Sequence, residues 1–411
     1  MRRRSLAIGV AAFVTATVIP STAISERNRD ETAARGSGPT ASKLCKTARI
    51  GFGSALTGGA AFLGIDQRNW VRTFVRFWNA NQAIPGVPKG LKRVKIRQVV
   101  ESDTQLNPQV AATVATQMAS NGSILAMVGF AGSQENLAGG PVLNRAGLAY
   151  ISGSATLDRL TDGKTLGRNN FFRVVPKNST QAAVGVNFMF AKLGLKSGQR
   201  VMVVDDAEAY GIGIADNAQA RFRARGVRVD RASQTQGNTD YTSLAQKAVG
   251  QNVKVVYAPT QVPSTSQLFA EQLKAAGYRG IFFGTDGSFD STSFKFPGAY
   301  VSFFATDIYQ VKIANRFTAD FSKRYGKTTP FGAPSFVAAQ VIAEAISKSC
   351  ADGKTSRSEV RRTIPKIRLS TSILGHPVSF DRNGDVKTGL PANGVTIFRI
   401  GAKGTYKLVY G

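Results

Sequence analysis

The chain has 411 residues, 43% hydrophobic and 19% charged, which is enough for two domains with separate cores and argues against wholesale disorder. Its 53 basic and 25 acidic residues leave a formal charge of +28, which raises polyanions and membrane surfaces as partners. A single histidine and two distant cysteines offer no zinc or facial-triad cluster, and no cofactor is expected.

Arg2, Arg3 and Arg4 precede an apolar run over 6–19, followed by Pro20 and the small residues Ser21, Thr22 and Ala23. This pattern predicts an export leader over 1–23, and the paired arginines also fit a twin-arginine signal. The run is shorter than the roughly 20 residues a membrane span needs. Residues 24–47 read as a flexible tether, because large apolar side chains are almost absent before Leu44. Cys45 stands too far past the cleavage point to carry a lipid, so an exported, periplasmic or extracytoplasmic protein without a lipid anchor is expected. Cys45 and Cys350 either pair in an oxidising compartment or remain separate thiols.

From residue 48 strand and helix alternate. A strand at 48–56 precedes a helix at 69–80, with Arg68, Arg72 and Arg76 as a solvated stripe opposite Trp70, Phe74 and Trp78. A strand at 94–103 leads to Asn107-Pro108, an N-cap followed by proline at the first helical position. A buried strand at 124–130, a helix over 133–146 and a strand at 148–154 complete a first unit with a parallel sheet. After Pro176 the rhythm restarts, with helices at 180–193, 213–225, 241–249 and 264–276 between strands. A long helix follows at 335–349, and a turn-rich β segment closes the chain.

The glycine-rich stretch 51–64 lacks the Gly-Lys-Ser/Thr of a phosphate loop and the G-x-G-x-x-G spacing, and "YGIGIA" at 210–215 fails likewise. Both read better as close backbone approaches. His376 has no G-x-S-x-G partner, and Asn178-Ser179-Thr180 is a chance sequon. Nothing points to acid–base catalysis, so a binder rather than an enzyme is expected. The basic cluster Arg221, Arg223, Arg225, Arg228 and Arg231 brings no nucleic-acid motif, and no nucleic acid is expected.

The positive signal lies at strand ends, where open parallel sheets bind ligands. "SALTGG", "GFAGSQEN" and "SGSATLD" put hydroxyls there, with Ser133 and Thr156 expected at helix starts. Those hydroxyls, with the amides near Ser154 and Ala155, suit a carboxylate. In the second unit Asp205, Asp206, Glu208 and Tyr210 follow one strand and Asp286 another. A buried acid needs a cation, so the two walls together suit an α-amino acid.

The ordered motifs "IGFGSALTGGAAFLG", "VVESDTQLNPQVAATVATQM", "SILAMVGFAGSQEN", "AYISGSATLDRLT", "RVMVVDDAEAYGIGIA", "GIFFGTDG" and "ILGHPVSFDRNGDVK" resemble the type I periplasmic binding proteins of the leucine/isoleucine/valine branch. The resemblance covers about residues 48–411. It implies an α/β fold of two Rossmann-like lobes with parallel central sheets, joined by a hinge of three crossings near Pro176, Thr306–Ile308 and Pro377–Ser379. Lobe 1 would comprise 48–175 and 309–377, and lobe 2 would comprise 176–308 and 378–411. By the same resemblance Ser133, Ser154, Ala155 and Thr156 hold the ligand carboxylate, Asp286 receives the ammonium and Tyr210 closes from the second lobe. Leu63 and Gln261 stand where leucine binders carry tyrosines, which opens side-chain specificity. The implied protein is a monomer that captures an amino-acid-like molecule for an ABC permease in the inner membrane. A sensing ectodomain of the same fold and a basic polyanion-binding surface protein are the alternatives.

Overall fold

A computed structural model describes residues 40–167 and 170–411. The expected leader and most of the tether lie outside these residues. No helix among the described residues is long and apolar enough to cross a membrane.

The tether expected through residue 47 ends earlier. Helix α1 (Ala41–Lys46) buries Leu44. Cys45 is bonded to Cys350 with their Cα atoms 5.8 Å apart. The backbone N–H of Thr355 also donates to the carbonyl of Ala41.

The first sheet contains β1 (Arg49–Ser54), β2 (Gln98–Asp103), β3 (Ile124–Gly129), β4 (Ala149–Ser152) and β5 (Phe171–Arg173), in the order β2-β1-β3-β4-β5. All neighbours are parallel. Helix α2 (Ala61–Asn79) lies on one face with α10 (Gly332–Ser349) and α9 (Asn315–Tyr325). Trp70 stacks on Phe321 at 4.8 Å, and Phe74 meets Phe336 edge-on. Helices α3 (Pro108–Ser120) and α4 (Ser133–Arg145) cover the other face, and Asn107 caps α3 as expected.

The second sheet repeats this plan. Strands β6 (Arg200–Asp205), β7 (Arg228–Ser233), β8 (Val255–Ala258), β9 (Ile281–Gly284) and β10 (Tyr300–Phe303) are parallel, in the order β7-β6-β8-β9-β10. Antiparallel β13 (Thr396–Ile400) and β14 (Tyr406–Tyr410) extend it. Helices α5 (Asn178–Lys192) and α6 (Ala209–Ala224) pack on one face. Helices α7 (Thr242–Gly250) and α8 (Pro263–Ala275) pack on the other.

Two helices begin well before their expected starts. Helix α2 starts at Ala61 rather than 69, and α6 at Ala209 rather than 213. Their first two turns contain glycine, with buried Asp66 and Gln67 in α2 and buried Tyr210 in α6, so they lack an amphipathic stripe. The glycines permit contact: a Cβ on Gly64 would lie 1.7 Å from the Ala55 carbonyl oxygen, and one on Gly211 2.2 Å from Asp206 Oδ1.

The chain leaves the first core between Val174 and Val175 and returns between Ala305 and Ile308. The third crossing corrects the boundary expected at 377/378. Val378, Phe380 and Val386 still pack in the first core, and Val395 is the next residue buried in the second. The hairpin β11 (Ser379–Phe380) and β12 (Val386–Lys387) is held there by Phe172 against Phe380 and by Arg173 Nε to Asp385 Oδ1 at 2.6 Å.

Candidate functional site

Each five-strand parallel set turns its order around its first strand, so crevices open beyond the carboxyl ends of β1 and β3 and of β6 and β8. The loops after these strands face one another. Between them lies a cavity of about 30 Å³ lined by Leu63, Leu106, Ala131, Gly132, Ser133, Ser154, Tyr210, Gln261, Asp286 and Phe331. That volume holds about two water molecules. The walls are drawn together, and Gln134 Nε2 donates across them to Gln261 Oε1 at 3.2 Å.

On the first wall Ser133 is the first residue of α4, as expected. Its hydroxyl accepts from the Leu157 amide at 3.3 Å. Ser154 Oγ donates to the Ala131 carbonyl and accepts from Gln67 Nε2, which Ser54 fixes from the other end. Three expectations need correction. Thr156 does not open a helix, because only a short 3-10 turn, Asp158–Thr161, follows it. The amides of Ser154 and Ala155 are not free, since both donate to Ser152 Oγ, at 3.2 and 2.9 Å. A hydroxyl two or three residues back is the nearest acceptor for such amides, so they close a local turn. Ala155 packs inward with Leu157 and Leu160 rather than lining the cavity. Thr156 also stays behind the wall, its buried Oγ1 without a hydrogen-bond partner among the described residues.

Wholly buried Arg173 supports this loop. It donates to the carbonyls of Ala155 and Leu157 while paired with Asp385. The hairpin that strayed from the second core therefore braces the site.

On the second wall Asp286 begins a short turn after β9 and is 4% exposed. Tyr210, in the first turn of α6, donates its hydroxyl to Asp286 Oδ1 at 2.7 Å and lies 2.6 Å from Thr285 Oγ1. Burial raises the Asp286 carboxyl to about 6, against the bond from Tyr210, which lowers it. None of the ion pairs among the described residues includes Asp286. Two of the other acids of this wall are engaged. Asp205 pairs with Arg231, Asp206 accepts from the Gln261 amide at 2.9 Å, and Glu208 is the residue before α6. His376 sits in a turn with Nδ1 2.9 Å from the Pro377 carbonyl.

Sequence reasoning missed Leu106, Gln134 and Phe331. Leu106 has a left-handed backbone (φ 57°) after β2, which no local pattern signals. Phe331 is set by Asp66, which accepts from Thr328 Oγ1 at 2.8 Å and Thr329 Oγ1 at 2.9 Å. Burial raises the Asp66 carboxyl to about 7. A buried acid in the first turns of α2 was the available signal, but its partners lie 262 and 263 residues away.

Two α/β units with the same strand order, facing across a cavity of mixed polar and apolar lining, have the architecture of a ligand-binding protein. Residues 47–405 match the family model described as periplasmic binding protein, and the chain belongs to that family of extracytoplasmic, non-enzymatic substrate-binding proteins. A Leu/Ile/Val/Thr-binding protein of Salmonella typhimurium is 24% identical over 320 residues, covering 76% of this chain and 83% of that one. An amino acid binding protein of Pseudomonas aeruginosa is 26% identical over 216 residues, covering 52% of this chain but only 56% of its own length. A solved leucine binding protein of Thermotoga maritima superposes with a TM-score of 0.74 at 20% identity, covering 88% of this chain and 98% of that one.

Proposed function

We propose that this protein captures an α-amino acid between its two units and delivers it to an ABC permease of the inner membrane. The observation that carries this reading is Asp286, a buried carboxyl in no ion pair among the described residues and with Ser133 and Ser154 on the same cavity. A buried carboxylate is costly unless a positive group meets it. A ligand ammonium would supply that charge, and its carboxylate would turn to the hydroxyls. Leu63, Leu106 and Phe331 leave an apolar end for the ligand's side chain, which favours a branched-chain or other hydrophobic amino acid.

A cavity for about two waters is too small for such a ligand, so entry requires Gln134 and Gln261 to part. The family relatives support this reading, since those in Salmonella and Thermotoga are named for branched-chain or leucine binding. A thermal-shift screen of amino acids and small carboxylates, followed by calorimetry on the best ligand, tests it. Asp286→Ala should weaken that ligand by about tenfold to a hundredfold, the equivalent of one lost charge-assisted hydrogen bond. An unchanged affinity would refute the ammonium role.

A further inference from the structure

We propose a second binding site, for a phosphate-bearing anion, at the end of the first unit remote from the cleft. There a groove of about 790 Å³ lies beside the Cys45–Cys350 disulfide, with Lys46, Lys92, Arg93, Lys95, Arg97 and Lys348 in its walls and no carboxylate among them. Lys46 precedes β1, Arg97 precedes β2 and Lys348 lies in the last turn of α10. These are the amino ends of the parallel strands, whereas the cleft lies at their carboxyl ends.

The charge there is concentrated and outnumbers the acids nearby. Residues 89–97, "KGLKRVKIR", hold five cations in nine positions. None of the six groove cations enters an ion pair among the described residues. Two acids stand close by: Glu344 on α10, which acts on Lys348 and Arg93 and whose buried carboxyl is raised to about 7, and exposed Asp352, between the groove residues Ala351 and Gly353. The C-terminus of α10 contributes the equivalent of about half a negative charge, far short of six.

The groove is also built. The Arg93 guanidinium lies 4.8 Å over the Trp78 ring while Nη1 donates to the Gln82 carbonyl at 2.8 Å. The Val94 amide donates to Ser347 Oγ at 3.0 Å, tying the basic segment to α10. The disulfide fixes Lys46 against the same helix. Arginine forks mixed with lysine point charges on a fixed frame match a multivalent oxyanion. The phosphate could belong to a soluble polyphosphate or to an anionic lipid headgroup.

The test uses the mature chain recovered after export, with two probes. Inorganic tripolyphosphate is titrated by calorimetry, and phosphatidylcholine vesicles with and without phosphatidylglycerol are tested by co-sedimentation. The triple substitution Lys92→Glu, Lys95→Glu, Arg97→Glu should weaken binding at least about tenfold. A control of equal net charge, Arg221→Glu, Arg223→Glu, Arg225→Glu, should stay within about twofold. Circular dichroism melting verifies that both remain folded. Binding of tripolyphosphate alone identifies a soluble ligand, and binding of phosphatidylglycerol vesicles alone identifies a headgroup. No binding of either probe, or equal weakening by both triple variants, overturns the proposal. Amino-acid affinity in the groove variant should match the parent, so this site stands or falls apart from the cleft.

Discussion

The two walls of the cleft are built on the same strand order but leave their polar groups in opposite states. On the first wall Ser133, Ser152 and Ser154 are already bonded, to the Leu157 amide, to neighbouring loop groups and to Gln67. On the second, Asp286 keeps a buried carboxyl whose donors among the described residues are neutral. A hydroxyl can give and accept, so a tight loop satisfies it locally. A carboxylate only accepts and carries charge, so local neutral bonds leave its burial cost standing. The first wall is preorganised, and the second is left short of a cation.

The contrast can be broken most severely at the brace behind the first wall. Arg173→Ala leaves Asp385 with only Lys177 and the Thr161 hydroxyl, frees the carbonyls of Ala155 and Leu157, and should cost about 2–4 kcal/mol by urea unfolding. A loss under about 1 kcal/mol would mean that the loop holds its shape without the hairpin. Next comes Ser154→Ala, which leaves Gln67 Nε2 and the Ala131 carbonyl unpaired in the interior. It should destabilise the protein by about 1–3 kcal/mol even without ligand.

The second wall should respond to pH. Asp286 titrates near 6, and an ammonium needs its ionised form. Affinity for the amino acid should therefore be flat above about pH 6 and fall about tenfold per unit below it, a slope that Asp286→Asn should abolish. Without ligand the sign reverses. The raised carboxyl contributes stability that is present below about pH 4 and lost as pH rises through 6, so Asp286→Asn should gain on the parent over that interval in melts.

The smallest expected effect is at Thr156. Its hydroxyl has no partner among the described residues, so Thr156→Val should change stability by less than about 0.5 kcal/mol. Calorimetry would then show whether binding suffers, and only a fall in affinity would place that hydroxyl on the ligand.

Much of this molecule was legible in the chain. Alternating strands and helices announced two parallel sheets because buried strands read as apolar runs and helices as stripes, as in Ile124–Gly129 and Trp70 through Trp78. Ser133, Ser154 and Asp286 could be picked out as polar groups just after buried strands, and all three line the cavity. Helix starts at Ala61 and Ala209 were hidden, since Gly64 and Gly211 serve close contacts rather than a stripe.

Local pattern therefore determined the elements, their alternation and the chemical types at the strand ends. Tertiary structure alone decided that Phe331 and Leu106 join the cavity, that the Val378–Lys387 hairpin braces the first wall, and that the amides of Ser154 and Ala155 are spent on Ser152. Periodicity reports which face of an element is buried. It carries no information about which distant backbone group, hundreds of residues along the chain, will satisfy a given side chain.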